Sequence, residues 1–367
     1  MEQTMERETL ERRMLRRAAA AGRPVTGTLE LTPLCNMRCG MCYIRLEREE
    51  MERLGGLRTA EEWLQLGREM AEAGVLFLLL TGGEPLLFPG FRELYAGLRR
   101  MGFILTVNTN GTLLDEDWAD FFAQNRPRRV NITLYGADET AYATLCHHPG
   151  GFESAVRAIR LLRARGIDVK INGSVTKQNL ADMEAIYALG RELGAPVHMD
   201  TYMIPGLHER ELPPQAQSRL TPENAARAEI CMMREERGEE ALRSLAAIAG
   251  ALQPGHYPDG LVCMAGHCSF AVDWRGSMRP CVTLSEPAAP VFETGFSSAW
   301  AQIAAQAQKL RVARACVECA LRPLCKTCAA SAKLETGRYD GVPAYLCGMT
   351  RALAAQLGRL AEEDTDG

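Results

Sequence analysis

Apolar residues follow two different periods along the first two thirds of the chain. Stretches whose apolar side chains recur at helical spacing separate six short runs rich in aliphatic and β-branched residues. Thr59 is typical of a helix start, because Glu62 three residues later completes a capping box. Each apolar run predicts a β-strand, and the six predicted strands are 27–32, 75–81, 103–108, 129–135, 169–175 and 197–203.

This alternation of strands and helices predicts an α/β fold. Short connections between alternating elements favour a parallel sheet, and six βα units are expected to curl into a (β/α)6 partial barrel. Functional side chains then belong at the carboxyl ends of the strands. The predicted units are an N-terminal helical segment 1–25, the barrel 26–220, a helical linker 221–254 that opens with Thr221-Pro222, a cysteine-rich region 255–350, and a C-terminal helix and tail 351–367.

Composition and charge narrow the class of protein. The 367 residues are 47% hydrophobic and 24% charged, which suits a globular chain with a sizeable core. The net charge of −4 predicts no nucleic-acid or anionic-membrane partner. No apolar run approaches the roughly 20 residues that span a bilayer, and the N-terminus lacks the apolar core of a secretion signal. We therefore expect a cytoplasmic protein.

Thirteen cysteines are unusual in such a chain. Disulfides are rare in reducing compartments, so the thiols predict metal binding or redox chemistry. Three of them follow the first predicted strand with the spacing C-x3-C-x2-C: Cys35, Cys39 and Cys42. Three thiolates on one loop can hold three irons of a [4Fe–4S] cluster and leave the fourth iron open. A zinc site lacking its fourth ligand, or three core cysteines, is the alternative.

A second motif, Thr81-Gly82-Gly83-Glu84-Pro85, ends the second predicted strand. Glycines let the backbone approach a ligand closely, and a carboxylate suits an ammonium group. Alone, this motif would be read as a strand-ending turn. Together with the cysteine triad it resembles the GGEP motif of the radical S-adenosylmethionine superfamily, and the resemblance covers about residues 26 to 204.

The resemblance implies a set of contacts to S-adenosylmethionine. Cys35, Cys39 and Cys42 would ligate the catalytic [4Fe–4S] cluster. Tyr135 stands where relatives often carry an Asp for the ribose, which is a departure from the family pattern. The residues implied in cofactor binding are Tyr43 beside the adenine, Gly82, Gly83 and Glu84 at the methionine amino group, Asn110 in a TNG-like turn, Thr133 at the ribose, and Asn172 and Ser174 near the nucleoside, the last two equally well explained by packing.

Eight cysteines crowd the last third of the chain, enough for two complete four-cysteine sites. Spacing alone separates zinc from iron–sulfur ligation poorly. Beside the barrel, the pattern resembles the SPASM extension, although C-x2-C-x5-C-x2-C is one residue shorter than usual at its last step, which puts the assignment of Cys328 in question. The resemblance implies an inner auxiliary [4Fe–4S] site of Cys263, Cys268, Cys281 and Cys328, and an outer one of Cys316, Cys319, Cys325 and Cys347. Segment 270–281 predicts a β-hairpin.

The implied activity is reductive cleavage of S-adenosylmethionine to a 5′-deoxyadenosyl radical that abstracts hydrogen from a substrate. With two auxiliary clusters, the resemblance implies oxidative modification of a ribosomally synthesised peptide by a thioether or carbon–carbon cross-link. Implied partners are a low-potential donor such as ferredoxin or flavodoxin, and a separate leader-binding protein, because about 25 residues before the first strand are too few for a leader-binding domain.

Three other functions stay open. A peptide epimerase would use Cys146 as hydrogen donor, although Cys146 and Cys231 are more typical of buried hydrophobic thiols. A radical enzyme acting on a tetrapyrrole or a cofactor precursor would share every motif. A zinc-bound scaffold is the non-enzyme alternative. Residues that would contact substrate in an enzyme, or simply fill the barrel and its linker, are His198, Asp200 and Tyr202 on the sixth strand and His208, Glu209 and Arg210 in the loop 205–220.

Overall fold

A computed structural model describes residues 9–204 and 218–363 of the chain. Most of the loop predicted to line a substrate channel, with His208, Glu209 and Arg210, lies outside the described residues. Among the described helices, none has the length and hydropathy required to cross a membrane.

Six parallel strands confirm the predicted α/β partial barrel, and they are joined in chain order. The sixth strand ends at Asp200, three residues before the predicted end, and the others match within two residues. The strands are β1 Thr26–Glu30, β2 Phe77–Thr81, β3 Ile104–Thr109, β4 Arg129–Thr133, β5 Val169–Ser174 and β6 Val197–Asp200.

Helices follow each barrel strand and continue through the C-terminal third. The capping box at Thr59 is present, and Thr221 caps the helix that begins at Pro222. The described helices are α1 Leu10–Ala20, α2 Arg48–Arg53, α3 Ala60–Glu72, α4 Phe91–Arg100, α5 Glu116–Gln124, α6 Glu139–Cys146, α7 Gly151–Ala164, α8 Met183–Glu192, α9 Pro222–Gly250, α10 Val291–Thr294, α11 Phe296–Ala307, α12 Arg314–Val317, α13 Ala329–Thr336 and α14 Ala344–Glu363.

The two faces of the barrel sheet differ in polarity. Strand residues such as Leu29, Val107 and Ile171 are fully buried in one core with Trp63 of α3. Residues at the alternate positions point to the opposite, inner face. On β3 to β5 these are polar and half-buried: Thr106, Asn108, Asn131, Thr133, Lys170, Asn172 and Ser174. A closed barrel fills its interior with branched apolar side chains, so this polar inner face is typical of a ligand site instead.

The C-terminal hairpin joins the barrel sheet, which the sequence did not predict. Its strands are β7 Ser269–Val272 and β8 Ser277–Arg279, and a short β9 Ala289–Pro290 follows. β7 pairs in parallel with β1, so the sheet has nine strands in the order β6-β5-β4-β3-β2-β1-β7-β8-β9. Gly27 lies under the Phe270 ring, where a Cβ would come within 2.4 Å of it. The boundary predicted between the cysteine-rich region and the C-terminal helix, at residues 350 and 351, falls inside α14, because this helix begins at Ala344.

Candidate active site

The cysteine triad lies on the loop that follows β1. This loop is held from behind by the C-terminal end of α6: the Arg38 amide donates to the Cys146 carbonyl at 3.0 Å, and the Gly40 amide donates to the Leu145 carbonyl at 3.1 Å. All thirteen cysteines lie in the described ranges, and none of them forms a disulfide.

Two of the three triad thiols, those of Cys35 and Cys39, have raised pKa values. Burial raises the pKa of Cys35 to about 12, and the neighbouring Glu84, Cys42 and Cys39 act in the same direction. A hydrogen bond with the Cys146 thiol, followed by burial, raises the pKa of Cys39 well above its ordinary value. Metal ligation requires thiolates, so iron must displace protons from this loop when it binds.

The glycines of the second motif let the tip of β2 pack against the triad loop. A Cβ on Gly82 would meet the Thr32 carbonyl oxygen at 2.4 Å, and one on Gly83 would meet the Leu34 carbonyl oxygen at 2.4 Å. The Gly83 amide donates to Thr32 at 2.6 Å, and the Glu84 amide donates to Leu34 at 2.8 Å. The close approach that the sequence suggested is therefore made to the triad loop itself.

Glu84 is a fully buried carboxylate beside Cys35. It accepts hydrogen bonds from the Thr109 hydroxyl at 2.8 Å, the Asn110 amide at 2.8 Å and the Leu86 amide at 3.1 Å. Burial outweighs these donors and raises the pKa of Glu84 to about 7. Since a carboxylate has about four acceptor positions, one remains for the predicted ammonium contact.

Asn110 connects the β3 turn to the triad. Its Nδ2 lies 3.6 Å from the Cys35 sulfur and donates to Asn36 Oδ1 at 2.8 Å. Asn36 in turn donates to the Thr112 hydroxyl at 2.7 Å. Sequence reasoning named Asn110 and missed Asn36 and Thr112, although the place of Asn36 inside the triad was a signal.

The predicted ribose and nucleoside residues are neighbours on the inner face. Thr133 of β4 is paired in register with Asn172 of β5, and Ser174 follows two residues later. The Asn172 Oδ1 atom is buried and has no hydrogen-bond partner among the described residues. Such an acceptor is costly to leave unpaired, and a hydroxyl donor on a ligand would satisfy it.

Two tyrosines border the triad. Tyr43 donates its hydroxyl to Glu30 Oε1 at 3.1 Å. Tyr135, at the place of the family Asp, has its pKa raised by burial and by the adjacent Cys39, Cys146 and Cys42. Its side chain is therefore within electrostatic reach of Cys39 and Cys42, two of the cysteines that the resemblance assigns to the cluster.

Four C-terminal cysteines line one cavity of about 200 Å³, together with Arg322 and Arg351. Burial raises the pKa of Cys316, and Cys347, Cys325 and Cys319 add to the shift. These four are the residues that the resemblance grouped as the outer site: Cys316, Cys319, Cys325 and Cys347.

The other four cysteines interact electrostatically in two pairs, Cys281 with Cys328 and Cys268 with Cys263. Burial and the nearby Cys328 raise the pKa of Cys281, and burial and the nearby Cys263 raise that of Cys268. Cys328 is therefore near enough to Cys281 to affect its pKa, and its assignment to the inner site stays a prediction. No three His, Cys, Asp or Glu side chains of the described residues converge as they would around a single metal ion.

The remaining candidates have other partners. His198 Nδ1 lies 2.8 Å from a Glu236 carboxylate oxygen on the exposed side of β6. The Tyr202 hydroxyl donates to Glu335 at 2.7 Å, which ties the end of the barrel to α13. Cys231 is half-buried on α9, away from the triad.

A family model described as the radical SAM superfamily matches residues 29–190, the span that contains the triad, the glycine motif and the inner face. Residues 29–190 therefore form a radical SAM domain. The protein is a radical SAM enzyme, and the chemistry of this superfamily uses S-adenosylmethionine and a catalytic [4Fe–4S] cluster.

Relatives of this radical SAM enzyme fall into two groups. The AdoMet-dependent heme synthase of Methanosarcina barkeri is 27% identical over 333 residues, which is 84% of this chain and 92% of that protein. The PqqA peptide cyclase of Gluconobacter oxydans is 31% identical over 172 residues, so the chain matches 47% of its length. Streptococcus suis SuiB bound to precursor peptide SuiA superposes with a TM-score of 0.68 at 14% identity, over 95% of this chain and 84% of that one, and shares the fold.

The residues present fit the cofactor of the superfamily. The three triad thiols would hold the cluster and leave one iron open. The buried, unpaired Asn172 Oδ1 suits a ribose hydroxyl, and the one remaining acceptor position of Glu84 suits an ammonium group. These assignments are predictions for this chain, consistent with the geometry described above.

Proposed function

We propose that this radical SAM enzyme modifies a peptide substrate oxidatively, using one catalytic and two auxiliary [4Fe–4S] clusters. The observation that carries the oxidative part is the cavity lined by Cys316, Cys319, Cys325 and Cys347. A set of four thiols separate from the catalytic triad offers a place for the electron that a substrate radical loses on oxidation. The peptide part is supported by the similarity to a peptide cyclase.

S-adenosylmethionine at the reduced catalytic cluster supplies the radical chemistry, which is the removal of a hydrogen atom from an unreactive C–H bond. The protein contributes orientation and shielding. Asn110, Asn36 and Thr112 fix the triad loop through a chain of hydrogen bonds. The polar inner face orients the nucleoside, while the buried position of Glu84 keeps water from the amino end of the ligand.

A tetrapyrrole is the second candidate substrate. The match to the heme synthase extends over 92% of that protein, whereas the match to the peptide cyclase covers about half of it. Both candidates share the barrel and the triad. We place the peptide first because four of the C-terminal cysteines line one cavity, which supports the outer site that the SPASM resemblance implies.

Metal analysis after anaerobic purification tests the cluster part. We expect about twelve irons per chain, four for each cubane, with little zinc. One zinc or more per chain without iron would contradict the proposal.

Substrate class is tested by anaerobic incubation with S-adenosylmethionine, dithionite and either a short peptide encoded beside the gene or an iron coproporphyrin. Loss of two hydrogens from the peptide, read by mass spectrometry, supports peptide oxidation. Solvent deuterium uptake at unchanged covalent structure supports an epimerase. Conversion of the porphyrin with an unchanged peptide supports the tetrapyrrole alternative. We also expect a low-potential electron donor, ferredoxin or flavodoxin, to support the reaction in place of dithionite.

A further inference from the structure

A buried ion pair joins the barrel to the C-terminal region. Glu30, the last residue of β1, is fully buried, and its Oε2 accepts from Arg279 Nη2 at 3.2 Å. Arg279 ends β8 and has a side chain only 2% exposed. The two residues are 249 positions apart in sequence, so this contact exists only because β7 and β8 extend the barrel sheet.

Each end of the pair is anchored separately. On the barrel side, the Tyr43 hydroxyl donates to Glu30 Oε1 at 3.1 Å. On the hairpin side, Asp273 Oδ2 lies 3.5 Å from Arg279 Nη2, and Asp273 Oδ1 accepts the amides of Arg275 and Ser277 at 3.0 and 2.9 Å. The hairpin turn therefore fixes Asp273, which fixes Arg279, which orients the Glu30 carboxylate.

The ends of this chain of contacts lie next to the two kinds of cysteine site. Tyr43 directly follows Cys42 of the triad, and Arg279 precedes Cys281 by two residues. A buried ion pair contributes little stability compared with apolar residues of the same size, and its best-attested use is to fix register. Arginine suits this task because its planar fork holds a carboxylate in one orientation.

We infer that Glu30 and Arg279 are positioning residues. Together they hold the part of the triad loop at Cys42 and Tyr43 in a fixed position relative to β8, the strand that precedes Cys281. The inference rests on the proposed function, because it concerns the cluster sites assigned there. A C-terminal residue, Arg279, would thus help to set the geometry of the catalytic cluster. Without the Arg279 guanidinium the Glu30 carboxylate can rotate, and the Tyr43 hydroxyl then loses an acceptor in a fixed position.

The test compares Arg279→Lys with Arg275→Lys in the anaerobically purified, iron-loaded full chain. Arg275 is the matched control, because its guanidinium also lies 3.5 Å from Asp273 Oδ2 on the same turn, while its side chain is 34% exposed. Two readouts are used without any substrate: 5′-deoxyadenosine released with S-adenosylmethionine and dithionite, and the change that S-adenosylmethionine causes in the electron paramagnetic resonance spectrum of the reduced protein.

Arg279→Lys should lower 5′-deoxyadenosine release about 10-fold, the range typical of partners that orient metal ligands, and should alter the S-adenosylmethionine-dependent spectrum at unchanged iron content. Arg275→Lys should change neither. Wild-type rate and spectrum in Arg279→Lys, or the same change in Arg275→Lys, would overturn the inference.

If Arg279→Lys fails to fold or to bind iron, the variant Glu30→Gln tests the same link between the ion pair and the catalytic cluster. It keeps the shape of the side chain and removes the charge that holds Arg279, so it should reproduce the same loss and the same spectral change. An unchanged spectrum in Glu30→Gln would refute the link. If the wild type itself releases no 5′-deoxyadenosine, the proposed function fails first and the inference falls with it, which is a distinguishable result.

Discussion

Cys146 should tune the reduction potential of the catalytic cluster rather than react with substrate. It is the last residue of α6 and is fully buried. Its carbonyl accepts the Arg38 amide at 3.0 Å, and its thiol raises the pKa of the neighbouring Cys39. Once Cys39 ligates iron as a thiolate, we expect the Cys146 thiol to donate a hydrogen bond to its sulfur. Hydrogen bonds to cysteine sulfurs are one of the determinants of iron–sulfur potentials.

The size of the effect follows from the hydrogen bond. Hydrogen bonds to charged groups contribute about 1.5–3 kcal/mol, and a thiol is a weak donor, so we take the strengthening on reduction as about 1 kcal/mol. For one electron, a tenfold change in equilibrium constant corresponds to about 59 mV, so 1 kcal/mol corresponds to about 40 mV. The donor stabilises the more negative, reduced cluster. Cys146→Ala should therefore lower the potential by about 40 mV.

The assay is a redox titration of the catalytic cluster followed by electron paramagnetic resonance. Cys146→Ser, which keeps a donor, should hold the potential near or above the wild-type value. Cys231→Ala is the matched control, because Cys231 is a half-buried thiol on α9 without a contact to the triad, and it should leave the potential unchanged. A shift of less than about 10 mV in Cys146→Ala, or a rise, would refute the reasoning. Loss of all product formation in Cys146→Ser at an unchanged potential would instead favour the epimerase.

Three further predictions concern the other parts of the site. Gly83→Ala places a Cβ 2.4 Å from the Leu34 carbonyl oxygen, so the triad loop must shift. Iron analysis should then show a loss of about four irons per chain. The control Gly358→Ala, whose Cβ would meet nothing within 4 Å, should keep all of the iron. Because burial raises the pKa of Glu84 from 4.5 to about 7, its stabilising neutral form is fully present below pH 4.5 and is lost as pH rises through 7. Glu84→Gln should thus gain about 3 kcal/mol relative to the wild type between those pH values, measured as the pH dependence of the difference in unfolding free energy, and a constant difference would contradict it. Cys325→Ser should lower iron from about twelve to about eight per chain by emptying the outer site alone, and loss of all auxiliary iron would show that the two sites are not separate.

Features encoded within a few residues were predictable from the sequence. The triad spacing, the glycine motif and the Thr59 capping box are local, and the apolar runs predicted all six barrel strands. The ends of the strands were harder to predict from the sequence, because a strand ends where its pairing with the neighbouring strand ends. β6 ends at Asp200 although the apolar pattern continues to Met203.

Contacts between distant parts of the chain were not predictable. The Glu30–Arg279 pair and the Cys39–Cys146 contact depend on how elements pack, and one sequence carries no record of packing partners. The one signal for Glu30 in the sequence was its charge, because the other residues of β1 are uncharged. The grouping of Cys328 with Cys281 was implied by the resemblance, and the structure supplies its reason: Cys328 caps α13, with the Ser331 amide donating to its sulfur at 3.5 Å.

β1 determines how the triad loop is arranged relative to Cys268 and to the hairpin that precedes Cys281. One of its edges pairs with β2, which carries the glycine motif, and the other pairs with β7, which leads to Cys281. The backbone amides of Val25 and Thr26 also donate to the Cys268 carbonyl, at 2.9 and 3.1 Å. The separation between the sites is therefore set by hydrogen-bonded strand register and not by the helical linker that connects them in sequence. The triad loop and the hairpin therefore keep a fixed separation, because the strands that carry them belong to one sheet.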